Sequence, residues 1–299
     1  MTSTHPVATA PSTAGRWAFP AMIAGSVCLA FGPWLVRLAD VGPLASAFWR
    51  QLLAVPFLFL LARLASGGRP AGAGAAGRRV LLMALAAGAA LGIDLGLWHL
   101  GIVRTTLANA TLLANAATFL LPLHAFLVLG QRPSRPQWAA LALAAAGVAL
   151  LLGRSADLSP RHLAGDLLCL GAAVFYTAYL IGIERARSAL EPLPALALAT
   201  LAAGAALAPL ALLEGGAIPQ DWTPILALAI GSQVIGQGLV VYAVRHLQPL
   251  VVGLALLVQP VISASIGMLR FGEVPGPWEL AGAALVVAAL LIARLPSRA

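Results

Sequence analysis

The chain has 299 residues, of which 61% are hydrophobic and 9% are charged, and its formal net charge is +8. A soluble domain carries about 25% charged residues, so the composition excludes an ordinary soluble enzyme. The positive charge does not indicate a nucleic-acid-binding protein, because no basic stripe with interleaved aromatic residues accompanies it. Cys28 and Cys169 both fall in apolar segments and predict neither a disulfide framework nor a metal site. No cofactor is expected.

Apolar segments of roughly twenty residues recur along the chain, each long enough to cross about 30 Å of hydrocarbon. They predict an all-α integral membrane protein with ten transmembrane helices. The connections are short and rich in turn-forming and charged residues, so any chemistry has to occur within the membrane. Residues 1–16 are rich in Pro, Thr and Ala and predict a disordered cytoplasmic tail. The predicted spans are 17–36, 43–65, 79–100, 104–129, 136–153, 163–184, 193–213, 222–244, 247–270 and 276–294.

Arginine placement predicts the orientation. With a cytoplasmic N-terminus, twelve arginines fall inside, five fall outside and Arg50 stays within a span. The positive-inside rule therefore places both termini in the cytoplasm of a bacterial inner-membrane protein. The five outside arginines are Arg37, Arg104, Arg154, Arg161 and Arg270.

The sequence contains an internal repeat. The segment at 129–151, LGQRPSRPQWAALALAAAGVALL, aligns without gaps with FGEVPGPWELAGAALVVAALLIA at 271–293, an offset of 142 residues. At nearly the same offset, AGSVCLAFGPW (24–34) is similar to AGDLLCLGAAVFY (164–176). A repeat of five spans is odd in number, so its second copy has to enter the membrane from the opposite face. The predicted halves are 17–154 and 162–295, arranged as two inverted five-helix repeats, as in many transporters.

Several of these segments resemble a known family. LGIVRTTLANATLLANAATFLLP followed by LGQRPSRPQW, and the second-half segment ending in FGE and PGPWELAGAALVVAALL, resemble the EamA repeat of the drug/metabolite transporter superfamily. SAFWRQLLA (46–54) is similar to that family's second-helix arginine segment. The chain departs from the repeat at Gln131, where the usual residue is the glutamate found at Glu273. The resemblance implies ten helices, an inverted repeat and export of small metabolites, with the greatest similarity to the YddG-type amino acid exporters.

Span 3 carries the stretch GIDLGLWHLG (92–101), which predicts a helix with two different faces. Gly88, Gly92 and Gly96 recur every four residues and form a small-residue stripe suited to close helix contact. Asp94 and Trp98 are also four apart but lie roughly opposite. Polar groups in hydrocarbon are expensive and are functional candidates by default. We therefore expect Asp94 to bind a substrate ammonium group and Trp98 to stack on the substrate.

Two other polar side chains near this stretch have open interpretations. His99 falls nearer the glycine face, and we interpret it as a packed residue rather than as part of the site. Arg50 lies some seven residues into span 2. It either snorkels towards the interface or pairs with Asp94.

Span 4 carries a second polar stripe. Asn115 and Thr118 are candidates for substrate contact, although Asn115 could equally bond a neighbouring helix. Pro122 and Pro260 are predicted to interrupt the helices of spans 4 and 9, and Pro33 that of span 1, freeing backbone carbonyls for a cavity. Ordinary proline kinks are the alternative.

The second half contributes amides and aromatic rings. Gln233 and Gln237 are four apart in span 8, and each offers a donor and an acceptor to a zwitterion. Tyr176 and Tyr179 share one face of span 6, although such residues often lie in interfacial belts. The remaining candidates for substrate contact are Trp34 in span 1 and Gln259 in span 9.

These candidates favour a secondary transporter that exports neutral and aromatic amino acids by alternating access. A different small solute, such as a drug cation or a sugar derivative, is the nearest alternative, with Asp94 as its counter-charge. An intramembrane aspartyl protease using Asp94 and Asp166 is a remote alternative, since such a dyad needs two carboxyls at one site. The expected partners are the amino acid substrate and the lipid bilayer, and a monomer would be sufficient. The sequence does not decide between proton-coupled and facilitative transport.

The predicted orientation can be checked at Gly72, in the Gly-rich connection between spans 2 and 3. A cysteine placed there in a cysteine-free background should resist an impermeant maleimide applied to intact cells, because the connection is cytoplasmic. Rapid labelling from outside would invert the topology.

Overall fold

The computed structural model of the protein describes residues 17–66, 77–130, 134–186, 190–215, 218–244, 246–247, 255–256 and 258–292. All regular secondary structure in these ranges is helical. The predicted tail at 1–16 and position 72 lie outside the described residues. The helices are α1 (Ala18–Ala30), α2 (Gly32–Leu38), α3 (Pro43–Ala65), α4 (Arg78–Ile102), α5 (Leu107–Ala114), α6 (Ala117–Leu129), α7 (Arg135–Leu158), α8 (Pro160–Ala186), α9 (Pro192–Leu213), α10 (Thr223–Leu226), a π-helix (Ala227–Gly236), α11 (Gln237–Val244), α12 (Val258–Phe271) and α13 (Pro277–Ile292).

Eight helical stretches in the described part of the chain are long and apolar enough to cross a membrane. Three of them are composite: α1 with α2, α5 with α6, and α10 with the π-helix and α11. The ninth and tenth predicted spans correspond to α12 and α13, which have 14 and 16 described residues. The protein is therefore an all-helical, multi-pass membrane protein.

Helix packing follows the internal repeat. The second helical span of each half packs against the other, as α3 against α9, and so does the fifth, as α7 against α13. The contact between α4 and α8 has its counterpart in the contact of α1 with the π-helix and α11. These contacts between the halves recur when the two halves are exchanged, as expected for two related copies.

The first span is broken where the sequence predicts it. Its helix stops at Ala30 and restarts at Gly32, with Phe31 between and Pro33 in the first turn of α2. Proline lacks the N–H donor that would continue the preceding hydrogen-bond ladder, and it is tolerated in a first helical turn.

The break in span 4 lies elsewhere than predicted. Helix α6 runs through Pro122, and the interruption falls at Asn115 and Ala116, between α5 and α6. The Asn115 side-chain amide donates to the Thr111 carbonyl at 2.9 Å and so competes with the backbone ladder at the end of α5. Pro260 lies in the first described turn of α12, where a proline needs no break.

The connection predicted at 153–162 is also shorter than expected. Helix α7 extends to Leu158 and α8 begins at Pro160, leaving Ser159 alone between them. Pro160 disfavours helical geometry at Ser159 and is well suited to begin a helix. The Ser159 hydroxyl accepts from the His162 backbone N–H at 3.2 Å and caps α8.

The glycine stripe of α4 packs as the sequence predicts. A methyl group built on Gly92 would lie 2.8 Å from the carbonyl oxygen of Ala203 in α9, and Gly88 is in equally close contact with Ala199. Glycine at these positions lets the backbones of α4 and α9 approach closely. This contact fixes which face of α4 turns away from α9.

Replacing Gly92 with alanine should therefore destabilise the protein, because overpacking a close contact costs about 1–3 kcal/mol. Thermal unfolding of the purified protein in detergent measures the effect. Gly238→Ala is the matched control, since a methyl group at Gly238 would meet no atom within 4 Å. Equal unfolding temperatures for the two variants would contradict the close contact.

Candidate functional site

The middle of span 8 is a ten-residue π-helix, Ala227–Gly236, rather than an α-helix. Such segments are rare and frequently occur at functional sites. This one places Ser232 and Gln233 on its buried side. Gln237, the first residue of α11, is also buried. The predicted pair Gln233 and Gln237 therefore faces the protein interior.

Gln233 lies at the centre of a hydrogen-bond network that joins the two halves. Its side-chain oxygen accepts from Nη2 of Arg50 and from Nε2 of Gln51, each at 3.2 Å. Its amide nitrogen donates to the Thr200 hydroxyl of α9 at 3.1 Å. All four side chains are at least 97% buried. This network makes the inner surface of α3 polar in an otherwise apolar bundle.

Arg50 does not snorkel. Its side chain is 3% exposed, and it interacts electrostatically with Asp94 of α4. Asp94 is itself 7% exposed. The two residues lie at similar depths, since each is seven or eight residues, or about 10–12 Å, from the nearest end of its helix. Of the two sequence interpretations of Arg50, the structure favours the one that places it beside Asp94.

Tyr176 of α8 completes this region. Its hydroxyl lies near the side chain of Gln237 and within electrostatic reach of both Asp94 and Arg50. We refer to the whole set as the central polar cluster. Its members are Arg50, Gln51 and Asp94 from the first half and Tyr176, Thr200, Gln233 and Gln237 from the second half.

Trp98 and His99 lie about one helical turn beyond Asp94 on α4, and each makes contacts of its own. The Trp98 indole N–H donates to the Ala110 carbonyl of α5 at 3.2 Å, so the ring ties α4 to α5. His99 is fully buried and hydrogen-bonded to the Ser46 hydroxyl at 2.8 Å, in agreement with a packed histidine. Trp98 is half-buried and packs on the apolar residues that adjoin Asp94, including Leu91 and Leu95.

The other predicted contact residues are more dispersed. Tyr179 is fully buried beside Tyr176, with ring centroids 5.7 Å apart. Trp34 is half-buried in α2 and packs near Phe31. Asn115 is turned to its own helix, and Gln259 is half-buried in the first turn of α12. The side chains of Thr118 and Pro122 lie outside the described part of the structure. The predicted contact residues of the central polar cluster are thus Asp94, Tyr176, Gln233 and Gln237.

Sequence reasoning missed Gln51 and Thr200 and left Arg50 undecided. The sequence marks all three residues as candidates, because a polar residue deep in an apolar span needs a partner. What the sequence lacked was the partner's identity, since Thr200 and Gln233 are brought together only by the packing of α9 against span 8. No group of three or more metal-ligating side chains occurs among the described residues.

A second polar region lies at the bundle end that carries the arginines predicted to face outside. Arg37 at the end of α2 forms a 2.6 Å salt bridge with Glu273, which follows α12 in the second half. Arg37 also donates to the carbonyls of Ile102 and Thr105, while Glu273 accepts from the Leu107 backbone N–H at 2.8 Å. We refer to these groups as the Arg37–Glu273 network.

Further contacts tie the halves together at the same end. The Thr105 hydroxyl and the Asn109 amide both donate to the Asp166 carboxylate of α8. Glu214, after α9, accepts from the first backbone N–H groups of α3. An open cavity of about 510 Å³ lies here, lined in part by Arg37, Arg161 and Glu273. None of the residues of the central polar cluster lines this cavity.

A charged and amide-rich cluster buried between two related halves of a multi-pass protein is typical of membrane transporters. The chain matches the EamA-like transporter family twice, over residues 16–153 and 163–295, and it belongs to that family. The family is one of transporters, so the protein is not an enzyme.

Curated relatives agree with this assignment. The chain is 29% identical over 214 residues to the threonine/homoserine exporter RhtA of Escherichia coli (strain K12), a match that covers 69% of this chain and 70% of that protein. It is 28% identical over 207 residues to RhtA of Salmonella typhimurium (strain LT2), covering 67% and 68% respectively. A solved crystal structure at 21% identity superimposes with a TM-score of 0.64 over 97% of this chain and 100% of that one, so the fold is shared.

The hydrogen bonds of Gln233 make a direct prediction about stability. Gln233→Leu leaves the donors of Arg50 and Gln51 without their acceptor. Losing a hydrogen bond to a charged group lowers the free energy of unfolding by about 1.5–3 kcal/mol. Gln233→Glu keeps the acceptor and adds a charge opposite to Arg50, so it should be tolerated far better. Thermal unfolding in detergent compares the two variants with Gln220→Leu, a control at an exposed position. A Gln233→Leu protein as stable as the wild type would exclude the network as a stabilising element.

Proposed function

We propose that the protein is a secondary transporter that exports neutral amino acids across the bacterial inner membrane by alternating access. The membership in a transporter family and the amino acid exporters among its relatives support this proposal. The observation that supports the proposal most directly is the central polar cluster. This cluster brings one cation, one anion and several amide or hydroxyl groups together in the interior of the bundle.

The charge balance of the cluster favours a zwitterion. A drug cation would be attracted by Asp94 but repelled by Arg50 nearby. A sugar derivative would use the amides and leave both charges without a counterpart. A neutral amino acid matches both charges at once, and it brings no net charge into the low-dielectric interior.

Two classes of amino acid side chain are candidates. The names of the curated relatives favour short hydroxylated side chains, as in threonine and homoserine. Aromatic side chains are the second class, supported by the ring of Tyr176 in the cluster, by that of Tyr179 beside it and by the buried indole N–H of Trp34, which lacks a partner among the described residues. The short hydroxylated class is our first choice, because the hydroxyl and amide groups around Gln233 can bond such a side chain.

The proposed transmembrane topology is that of an inverted repeat. Ten transmembrane helices form two inverted five-helix halves, 17–154 and 162–295, and both termini lie in the cytoplasm. The reversal of direction between the halves is supported by the contact of the end of α9 with the beginning of α3, through Glu214 and the backbone of Ala45. In this orientation the Arg37–Glu273 network lies at the outer end and holds it closed. Release of the substrate to the outside then requires the network to separate.

The Arg37–Glu273 network can be tested as an outer gate. Glu273→Gln removes the charge that holds Arg37, so the outer end should open more often. Val36 is buried and lines the cavity beside Arg37 and Glu273. In detergent-solubilised protein, a cysteine at this position should react with maleimide at least about fivefold faster in the Glu273→Gln background than with Glu273 present.

Glu279→Gln is the matched control for that measurement. Glu279 also accepts a backbone N–H, from Gly276, but that bond joins neighbours in one helix turn. Labelling should stay at the wild-type rate in this control. A Glu273→Gln protein that also labels at the wild-type rate would remove the network from the gate.

Counterflow in proteoliposomes tests the proposed function itself. Vesicles preloaded with unlabelled threonine, homoserine, phenylalanine, a drug cation or a sugar derivative are each assayed for accumulation of the same compound in labelled form, with and without a pH gradient. We expect exchange with the neutral amino acids, strongest for threonine and homoserine. Dependence on the gradient separates proton coupling from facilitated transport. Exchange with the cation or the sugar alone would reject amino acid export.

A further inference from the structure

Arg50 has hydrogen-bond donors that no described residue accepts. Its side chain is 3% exposed, and Nε and Nη1 have no partner among the described residues, whereas Nη2 donates to Gln233. Buried unsatisfied donors of a charged group are unfavourable, so their presence needs an explanation. Each of the two edges by which a guanidinium group binds an anion bidentately contains at least one of these two nitrogens.

A carboxylate is the group that these donors fit. The planar guanidinium fork matches the two oxygens of a carboxylate, and the bonds formed are charge-assisted. Asp94 does not fill this role directly. It interacts electrostatically with Arg50, but no salt bridge within 4.0 Å joins the pair in the described structure. The protein therefore holds a cation and an anion near each other without direct contact.

Gln51 adds a third unsatisfied group. Its amide nitrogen donates to Gln233, and its side-chain oxygen is buried without a partner among the described residues. An ammonium group offers three donors, which suit an amide oxygen as well as a carboxylate. The unused groups thus comprise donors for an anion on Arg50 and an acceptor for a cation on Gln51, and the carboxylate of Asp94 lies within electrostatic reach of Arg50.

We propose that Arg50 binds the α-carboxylate of the substrate while Asp94, aided by Gln51, binds its α-ammonium group. This assignment rests on the proposed export of amino acids and specifies its substrate class. The transporter should require a free carboxylate and a free ammonium group on the same molecule. Amino acid amides, which lack the carboxylate, and N-acetyl amino acids, which lack the ammonium group, should be rejected.

The test measures inhibition of labelled threonine counterflow by threonine, threoninamide and N-acetylthreonine. In the wild type, both derivatives should inhibit at least about tenfold more weakly than threonine, as expected for the loss of a charge-assisted bond. Arg50→Gln should remove the discrimination against threoninamide and keep that against N-acetylthreonine. Asp94→Asn should do the opposite. These ratios are internal to each variant and do not depend on how much protein is folded.

Ligand-induced thermal stabilisation of the purified protein supplies the same ratios where a variant no longer transports. The double variant Arg50→Gln/Asp94→Asn removes both charges and so keeps the interior neutral. It therefore distinguishes substrate recognition by the two charged residues from a role in which they only neutralise each other. We expect it to bind threonine no better than either single variant.

Two results would overturn the assignment while leaving amino acid export intact. One is an Arg50→Gln protein that discriminates between threonine and threoninamide as the wild type does. The other is a double variant that regains wild-type threonine transport, which would show that the two charges serve only to compensate each other. If no neutral amino acid is exchanged or stabilises the wild type, the proposed function fails together with the assignment.

Discussion

A charged guanidinium group inside a membrane-spanning helix has to be compensated by other groups, and Arg50 imposes that requirement on this protein. Its compensation comes from three directions: Gln233 in the second half, Asp94 on the adjacent helix and Gln51 through their common partner Gln233. Gln233 and Asp94 come close to Arg50 only when α3, α4 and the π-helix pack together. The cost of an isolated charge in hydrocarbon therefore links the two halves of the chain.

The π-helix and the glycine stripe are the structural means of meeting this requirement. A π-helical segment has a wider turn than an α-helix and changes which side chains face inward. On α4, close contact with α9 through Gly88 and Gly92 leaves Asp94 free to turn towards Arg50 and Tyr176. The glycines on one face of α4 thus hold the helix against α9, and this packing orients the Asp94 carboxylate on the other face. No hydrogen bond within α4 is needed to orient it.

Much of this arrangement was accessible from sequence, and the reasons differ by feature. Apolar length and the five-span repeat predicted an all-helical membrane protein, because hydrocarbon permits few spanning structures. The spacing of Gly88, Gly92 and Asp94 predicted the two faces of α4, because helical periodicity is local. Partners such as Thr200 for Gln233, or Glu273 for Arg37, are separated by long stretches of chain and follow only from tertiary packing. The break at Asn115 was placed at Pro122 instead, since a proline is conspicuous in sequence and a side-chain bond to the helix backbone is not.

Helix α4 also connects the centre of the protein to the end that contains the Arg37–Glu273 network. Asp94 lies in the central polar cluster, while the carbonyl of Ile102, the last residue of the same helix, accepts from Arg37. Trp98 lies between them and bonds α5, whose first backbone N–H, on Leu107, donates to Glu273. A substrate that shifts α4 when it binds Asp94 would therefore move both the acceptor of Arg37 and the donor to Glu273. In the proposed alternating-access mechanism, the occupied site and the gate have to be coupled, and a rigid helix that contributes to both would provide that coupling without a relay of separate side chains.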